Sequence, residues 1–302
     1  MTQEMTQKAV SPAAYLPLLV ACFFWALGHP VGRIILATVH PFHLGAINLV
    51  VGFIVLLVYL AITGTLKGIR RFTTADILSS LALGAVGFAL YQVLTFSALS
   101  RIPASVNAVL VSTNIMLIAL FSVIFLGERV TWPRVVGILG AFAGVALVTF
   151  NRGFALGGGL DLLGCGFSLL AAASFAAYTI LGKRLVERND PLIVTSLALF
   201  SGAVLLTAFS GISLGFRPLA SAGQEAWWLM ILLGATMIGI SYPVWFNRLK
   251  HLPASRASAF IYLTPVLAVI LSFVILGEHF SWPFYFGAAL VLSGVVVSSS
   301  FR

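Results

Sequence analysis

The sequence predicts an all-α polytopic membrane protein, with ten transmembrane helices in two inverted five-helix repeats and both termini in the cytoplasm. Three observations carry that prediction. The 302 residues are 60% hydrophobic and only 8% charged, with a mean hydropathy of +1.09, whereas a soluble globule of this size covers itself with far more charge. The apolar residues fall in blocks of about 20, the length that crosses a bilayer. The stretch LGERVTWP at 126–133 returns as LGEHFSWP at 276–283, an offset of 150 residues.

The blocks run over 15–36, 42–63, 75–98, 103–126, 134–150, 161–182, 192–213, 225–246, 253–276 and 284–300. The first is too long for the about 7–15 apolar residues of a cleaved leader, and no small-residue cleavage site follows it. A tail at 1–14 precedes the first repeat at 15–150, and a linker at 151–160 leads to the second at 161–300. Gly157-Gly158-Gly159 in that linker lacks a following Lys-Ser/Thr, so it is not a phosphate cradle. Asp161 is placed to cap the sixth helix. Cys22 and Cys165 both fall inside spans and read as small core residues, which implies no disulfide framework.

The net charge of +9 gives orientation. With the N-terminus inside, 13 of the 17 Lys and Arg face the cytoplasm, and only Arg33, Arg101, Arg152 and Arg217 lie outside. The positive-inside rule therefore sets both termini inside. A nucleic-acid partner would need those charges on one soluble face, and the pattern leaves none.

Sliding the chain by 150 aligns both halves without a gap. Pro103-Ala104-Ser105 meets Pro253-Ala254-Ser255, Gly32 meets Gly182, Pro41 meets Pro191 and Gly52 meets Gly202. Gly127, Glu128, Trp132, Pro133, Gly137 and Gly144 meet Gly277, Glu278, Trp282, Pro283, Gly287 and Gly294. Five spans per copy is an odd number, so the second copy enters the membrane from the opposite face. Inverted repeats are the architecture of alternating-access carriers, with substrate held near the midplane between the halves.

Two five-span halves, each with an IPAS/LPAS helix start and an LGE turn, resemble the drug/metabolite transporter superfamily and its EamA-type carriers. The stretch GLDLLGCGFSLLAAASFAAYTILGKRL at 159–185 is similar to that family's sixth span. The resemblance covers essentially the whole chain. It implies helices 1–4 and 6–9 around a central cavity, with 5 and 10 peripheral, in a bacterial cytoplasmic membrane. It further implies export of small metabolites, including the aromatic amino-acid (YddG-like) type.

Polar residues at mid-span mark the expected pathway, because lipid penalises them unless they face protein or water. In the first span Trp25, Gly28, His29 and Gly32 share a face, and Pro30 removes a backbone donor and favours a kink. Asn48 lies in the second span, Tyr91 and Gln92 in the third, Tyr242, Pro243 and Trp245 in the eighth. Asn107 and Asn114 stand two turns apart on the fourth, and the counterpart of Asn114 is Thr264, next to Pro265. Ser174, Tyr178 and Gly182 form a stripe on the sixth, and Tyr262 lies in the ninth. The expected substrate contacts are Trp25, His29, Asn48, Tyr91, Gln92, Asn114, Tyr178, Tyr242, Trp245, Tyr262 and Thr264. Gly28, Pro30, Gly32, Pro243 and Pro265 are the expected hinges. Trp132, Trp227, Trp228 and Trp282 read instead as an interfacial belt. Glu128 and Glu278 read as turn or packing residues, and the glycine runs at 84–87 and 137–144 as close helix contacts.

All eight acidic residues fall in tails, turns or helix ends. Proton or sodium coupling draws on a buried carboxylate, so the expectation is transport that is either uncoupled or weakly proton-coupled through His29. Amides, hydroxyls and aromatic rings without a fixed charge suit a net-neutral zwitterion, with aromatic and large neutral amino acids foremost. Another small metabolite or a drug is the alternative cargo. No metal or cofactor is called for. A membrane-embedded enzyme would need a cluster such as H-E-x-x-H or GxSxG, and both are absent. A non-transporting partner protein would need soluble domains. The expected partners are a small molecule and membrane lipids, with the chain a monomer or dimer.

Overall fold

A block of apolar residues in lipid must satisfy its own backbone, and a helix does so within one segment. The computed structural model describes residues 16–127, 132–150, 161–249, 260–261 and 263–300, and every regular element among them is helical. The tail at 1–14, the linker at 151–160, Glu128 and Tyr262 lie outside the described residues.

Helix α1 (Leu16–Ile35) carries on through Pro30. Helix α2 (Pro41–Ile62) starts where His40 accepts the Phe42 N–H and Pro41 takes the first position, where its missing donor costs nothing. A 3-10 turn (Thr65–Arg71) leads to α3 (Thr74–Gly84), opened by a capping box between Thr73 and Asp76. A π-helical turn (Ala85–Leu90) joins α3 to α4 (Tyr91–Leu99). Helices α5 (Ala104–Val111), α6 (Asn114–Leu126) and α7 (Trp132–Phe150) complete the first half. In the second half come α8 (Leu162–Arg188), α9 (Pro191–Leu214), the short α10 (Arg217–Ala220) and α11 (Gln224–Gly234). A second π turn (Ala235–Ile240) precedes α12 (Ser241–Leu249), α13 (Leu263–Leu276) and α14 (Trp282–Ser300). Asp161 caps α8 by accepting the Leu163 and Gly164 N–H groups at 2.9 and 3.1 Å.

Seven stretches among the described residues are long and apolar enough to cross a membrane: α1, α2, Thr74–Leu99, Ala104–Phe125, α8, α9 and Gln224–Asn247. The remaining three expected spans, the fifth, ninth and tenth, match the shorter apolar helices Val135–Val148, Leu263–Leu276 and Trp282–Gly294. Large apolar side chains such as Ile62 and Ile212 stay 82% and 87% exposed, a surface suited to lipid rather than water. Trp132 and Trp282 stand exposed at the first positions of α7 and α14.

The fourth span departs from a regular helix. It breaks at Ser112 and Thr113, whose hydroxyls donate to the Val109 and Leu110 carbonyls at 2.6 and 2.7 Å. Such local bonds compete with the helical ladder. Asn107, before the irregularity, is fully buried, whereas Asn114, after it, is partly exposed.

Helix ends gather at two poles. One cluster joins Ile35, Val39 and Leu44 to Phe96, Leu99, Ala104 and Leu219, with Leu276 packed against them. A second joins Leu56 and Leu60 to Leu185, Leu192 and Val194, with Leu66, Phe72 and Phe246 against it. We call these the first and second poles. Helix α1 ends at the first pole and α8 at the second, while α2 runs from first to second and α9 from second to first.

The close contacts repeat at the same offset of 150. A methyl on Gly84 would lie 2.1 Å from the Ala198 carbonyl oxygen, and one on Gly234 2.9 Å from that of Asn48. Gly202 abuts Phe88 as Gly52 abuts Ile238. In each pair the third-span segment of one half packs on the second span of the other. Helices α7 and α14 pack along each other through Gly144 against Val291 and Gly294 against Ala141. The two π turns, 85–90 and 235–240, also stand 150 residues apart.

Candidate functional site

A cavity of about 390 Å³ opens between the halves, bounded by α1, α3, the first π turn, α4, α5, α6, α8, α9, the second π turn, α12 and α13. That volume suits a small molecule. Its walls carry a connected chain of aromatic rings. Trp245 lies 5.3 Å from Trp25, Trp25 6.0 Å from Tyr242, and Tyr242 6.1 Å from Phe88. The chain continues from Phe88 to Tyr178 at 5.4 Å, on to Phe175 at 5.8 Å and to Tyr91 at 5.5 Å. Tilted and edge-on pairs at these separations hold one another in place.

The π turns help to shape this wall. A π turn widens the ring of backbone bonds and leaves carbonyls for other donors. The indole Nε1–H of Trp25 donates to the Met237 carbonyl at 3.0 Å, and the Ser174 hydroxyl to that of Val86 at 2.6 Å. Ser241 takes the Thr236 carbonyl at 2.7 Å. Trp25 thus presents a ring face fixed by the opposite half.

Of the eleven expected contact residues, nine line the cavity: Trp25, His29, Tyr91, Gln92, Asn114, Tyr178, Tyr242, Trp245 and Thr264. Asn48 does not. It is fully buried on α2, with its amide 3.9 Å from the Met237 sulfur, so Met237 stands between it and the cavity. Tyr262 lies outside the described residues. Among the expected hinges Pro265 lines the cavity. Gly28 abuts the Met237 side chain, Gly32 abuts Leu99 and Phe96, Pro30 is buried in α1 and Pro243 lies in the first turn of α12. Within the expected sixth-span stripe, Tyr178 and Gly182 face the cavity, and Ser174 serves the π turn.

Phe88, Phe175, Phe246, Met237, Thr179 and Thr195 also line it and were not singled out from the sequence. The offset of 150 would have found two of them. Phe175 is the counterpart of Trp25, and Thr179 that of His29. The pairs Phe88 and Ile238, Gln92 and Tyr242, Val111 and Ile261, Asn114 and Thr264, and Ile115 and Pro265 all line it together. None of the described lining residues is Asp, Glu, Lys or Arg.

The pairing fails toward the second pole. Leu83, Gly182, Val186 and Val194 line the cavity there. Their counterparts Leu233, Gly32, Leu36 and Leu44 lie instead in or against the first-pole core. That pole carries further bonds. Arg33 donates to the Leu99 carbonyl, and His43 Nε2 lies 2.9 Å from the Gly215 carbonyl. Glu278 Oε1 accepts the Ala104 N–H at 2.8 Å, and Oε2 accepts the Ser105 N–H at 3.1 Å together with the Ser105 hydroxyl. A carboxylate from 173–174 residues away thus caps α5, where a negative charge is favoured. Arg101 pairs with Asp161 at 2.8 Å, and that hydrogen bond, with the Gly164 N–H, holds the Asp161 carboxyl below the usual carboxylate range.

Long lipid-suited helices around an aromatic cavity define a multi-pass integral membrane protein built to hold a small molecule. Its sequence matches the EamA-like transporter family twice, over residues 12–150 and 162–300, and the chain belongs to that family. It is a transporter rather than an enzyme. Among its relatives is an uncharacterized transporter of Archaeoglobus fulgidus, 29% identical over 76% of this chain and 79% of that one. Another, from Streptantibioticus cattleyicolor, is a probable terminal-alkyne amino-acid exporter, 30% identical over 80% of this chain and 79% of its own. Bacillus subtilis YetK, an uncharacterized transporter, is 24% identical over 94% of this chain and 86% of its own. A solved crystal structure, 24% identical and covering 96% of this chain and 98% of that one, shares the fold at a TM-score of 0.65.

Proposed function

We propose that this protein exports amino acids, aromatic and large neutral ones foremost, by alternating access. Its two five-helix repeats are inverted in the membrane, with both termini in the cytoplasm. The observation that carries the reading is how the cavity breaks its own symmetry. Seven lining pairs match at an offset of 150, yet the residues that flank the cavity at the second pole have counterparts sealed at the first. Two nearly equivalent halves then have two equivalent arrangements, one open at each pole. Exchange between them moves a bound molecule across.

With the termini inside, the sealed pole is the outer one and the cavity reaches toward the cytoplasm, as an exporter loading its cargo requires. The uncharged, amide- and hydroxyl-bearing lining favours a net-neutral zwitterion, and the aromatic chain favours a planar or bulky apolar side chain. The amino-acid cargo named for the Streptantibioticus relative agrees with this class. Expected substrate contacts are Trp25, His29, Tyr91, Gln92, Asn114, Tyr178, Tyr242, Trp245 and Thr264. No carboxylate lies among the described lining residues, which favours facilitated export, and His29 is the one imidazole among them.

Uptake and counterflow in proteoliposomes, screened over the twenty amino acids and nucleosides, tests the reading. Saturable amino-acid transport that falls at least tenfold in Trp25→Ala and Asn114→Ala is expected. Silence across the amino acids with nucleoside transport intact would overturn the cargo. Reporter tags finding positions 129 and 279 in the same compartment would overturn the inversion.

A further inference from the structure

The geometry points to a dedicated ammonium-binding subsite in the cavity, formed by His29 Nε2 and Gln92 Oε1, in which Asn107 sets the histidine tautomer. It deepens the proposed amino-acid cargo and rests on that reading for its role in transport. Asn107 is fully buried, and its Nδ2 donates to the Thr95 carbonyl and to Ser168 Oγ, each at 3.3 Å. A carbonyl only accepts, so the amide is oriented: a flipped Asn107 would set oxygen against oxygen. Its Oδ1 therefore faces His29 Nδ1, 3.1 Å away. An amide oxygen needs a donor, so Nδ1 carries the proton. In the neutral ring Nε2 is then bare, and the ring lines the cavity, only partly buried.

A second acceptor lines the same cavity from α4. Helices α1 and α4 run toward the same pole and touch where Gly32 meets Phe96. One turn back from that contact lie His29 and Gln92. Gln92 is only 2% exposed and lines the cavity, yet its Oε1 has no partner. Two acceptors without donors, in a wall of aromatic rings and with no cation nearby among the lining residues, suit a group that brings only donors. A primary ammonium is such a group, with three N–H donors and a charge that ring faces favour. Neutral acceptors bind it without the permanent charge that a carboxylate would leave in the empty carrier. Asn107 acts as a positioning residue. It touches no cargo but keeps the proton on the ring nitrogen that faces away from the cavity.

The experiment uses 15N-histidine-labelled full-length protein in micelles, with phenethylamine and 3-phenylpropionate as separate probes, alongside phenylalanine transport in proteoliposomes. We expect Nε2 of His29 to resonate as an unprotonated nitrogen and to shift with phenethylamine but not with 3-phenylpropionate. Asn107→Leu is expected to lose the single tautomer. His29→Phe is expected to raise the KM for phenylalanine about tenfold to a hundredfold, the loss of a hydrogen bond to a charged group. His29→Gln, which retains an acceptor, recovers part of that loss. A proton on Nε2, or a resonance indifferent to phenethylamine, overturns the subsite. So does phenylalanine transport with an unchanged KM in His29→Phe. Should the parent carry no amino acid while Nε2 still answers phenethylamine, the subsite stands for amines and the amino-acid reading falls.

Discussion

Glu278→Gln isolates the cross-half tether at the sealed pole. The carboxylate offers two acceptor oxygens to three donors, the N–H groups of Ala104 and Ser105 and the Ser105 hydroxyl, and both donating residues are fully buried. An amide of the same shape keeps one oxygen and sets N–H donors where the other stood. At least one buried donor is orphaned, at about 1–3 kcal/mol. Loss of the negative charge at the start of α5 adds about 0.3–1 kcal/mol. The two together centre on about 2.7 kcal/mol, or about ninetyfold in a local opening equilibrium. Hydrogen exchange in micelles reads it directly: a peptide spanning 99–111 should exchange about ninetyfold faster in the variant, while one from α9 keeps its rate. Ser105→Ala should then cost less in the variant than in the parent. Unchanged exchange, or effects that add to within about 0.5 kcal/mol, would refute the tether.

Gly84→Ala puts a methyl 2.1 Å from the Ala198 carbonyl oxygen, and backbone cannot yield as a side chain does. A loss of about 1–3 kcal/mol is expected from thermal unfolding in detergent. Gly166→Ala serves as its control, since a methyl there meets nothing within 4 Å and helix propensity gains about 1 kcal/mol. Gly294→Leu should part α7 from α14, because even a methyl at 294 lies 2.5 Å from the Gly137 oxygen. Full transport and stability in that variant would show the crossing to be dispensable. Asp161→Asn tests pH dependence. The Asp161 carboxyl is held below its ordinary value of 3.8 by Arg101 and the Gly164 N–H, so its contribution is full above that pH and fades as pH falls through the lowered value. The parent should melt slightly higher than the variant at neutral pH and lose that lead below pH 3.8. A difference independent of pH would argue against the pair.

Much of this was legible because lipid reduces the choices. Trp25, Tyr91 and Tyr178 stand out as polar-tipped rings at depths where lipid offers them nothing, and the structure gathers them. Asp161 could be read as a cap from its place before an apolar run. Asn48 looked the same as Asn114, yet it sits behind Met237. Depth along a helix is visible in sequence, but the direction a buried side chain faces depends on a neighbour 189 residues away. Phe88, Phe246 and Met237 were hidden for the converse reason, since an apolar ring facing a cavity has the composition of one facing lipid. The break at Ser112-Thr113 leaves hydropathy unchanged, and adjacent hydroxyls were its only mark. The paired π turns left fainter signs, Gly84 and Gly234.

The ion pair between Arg101 and Asp161 has no duplicate. At the matching positions of the other half stand His251 and Ser11. A perfectly twofold carrier would rest equally on either side; this one owns a clasp on a single side. If the proposed exchange between two arrangements holds, these two positions, where the halves differ in sequence, tip the balance toward one of them. Exchanging them for their cousins would move the machine toward indifference while leaving its cargo chamber untouched.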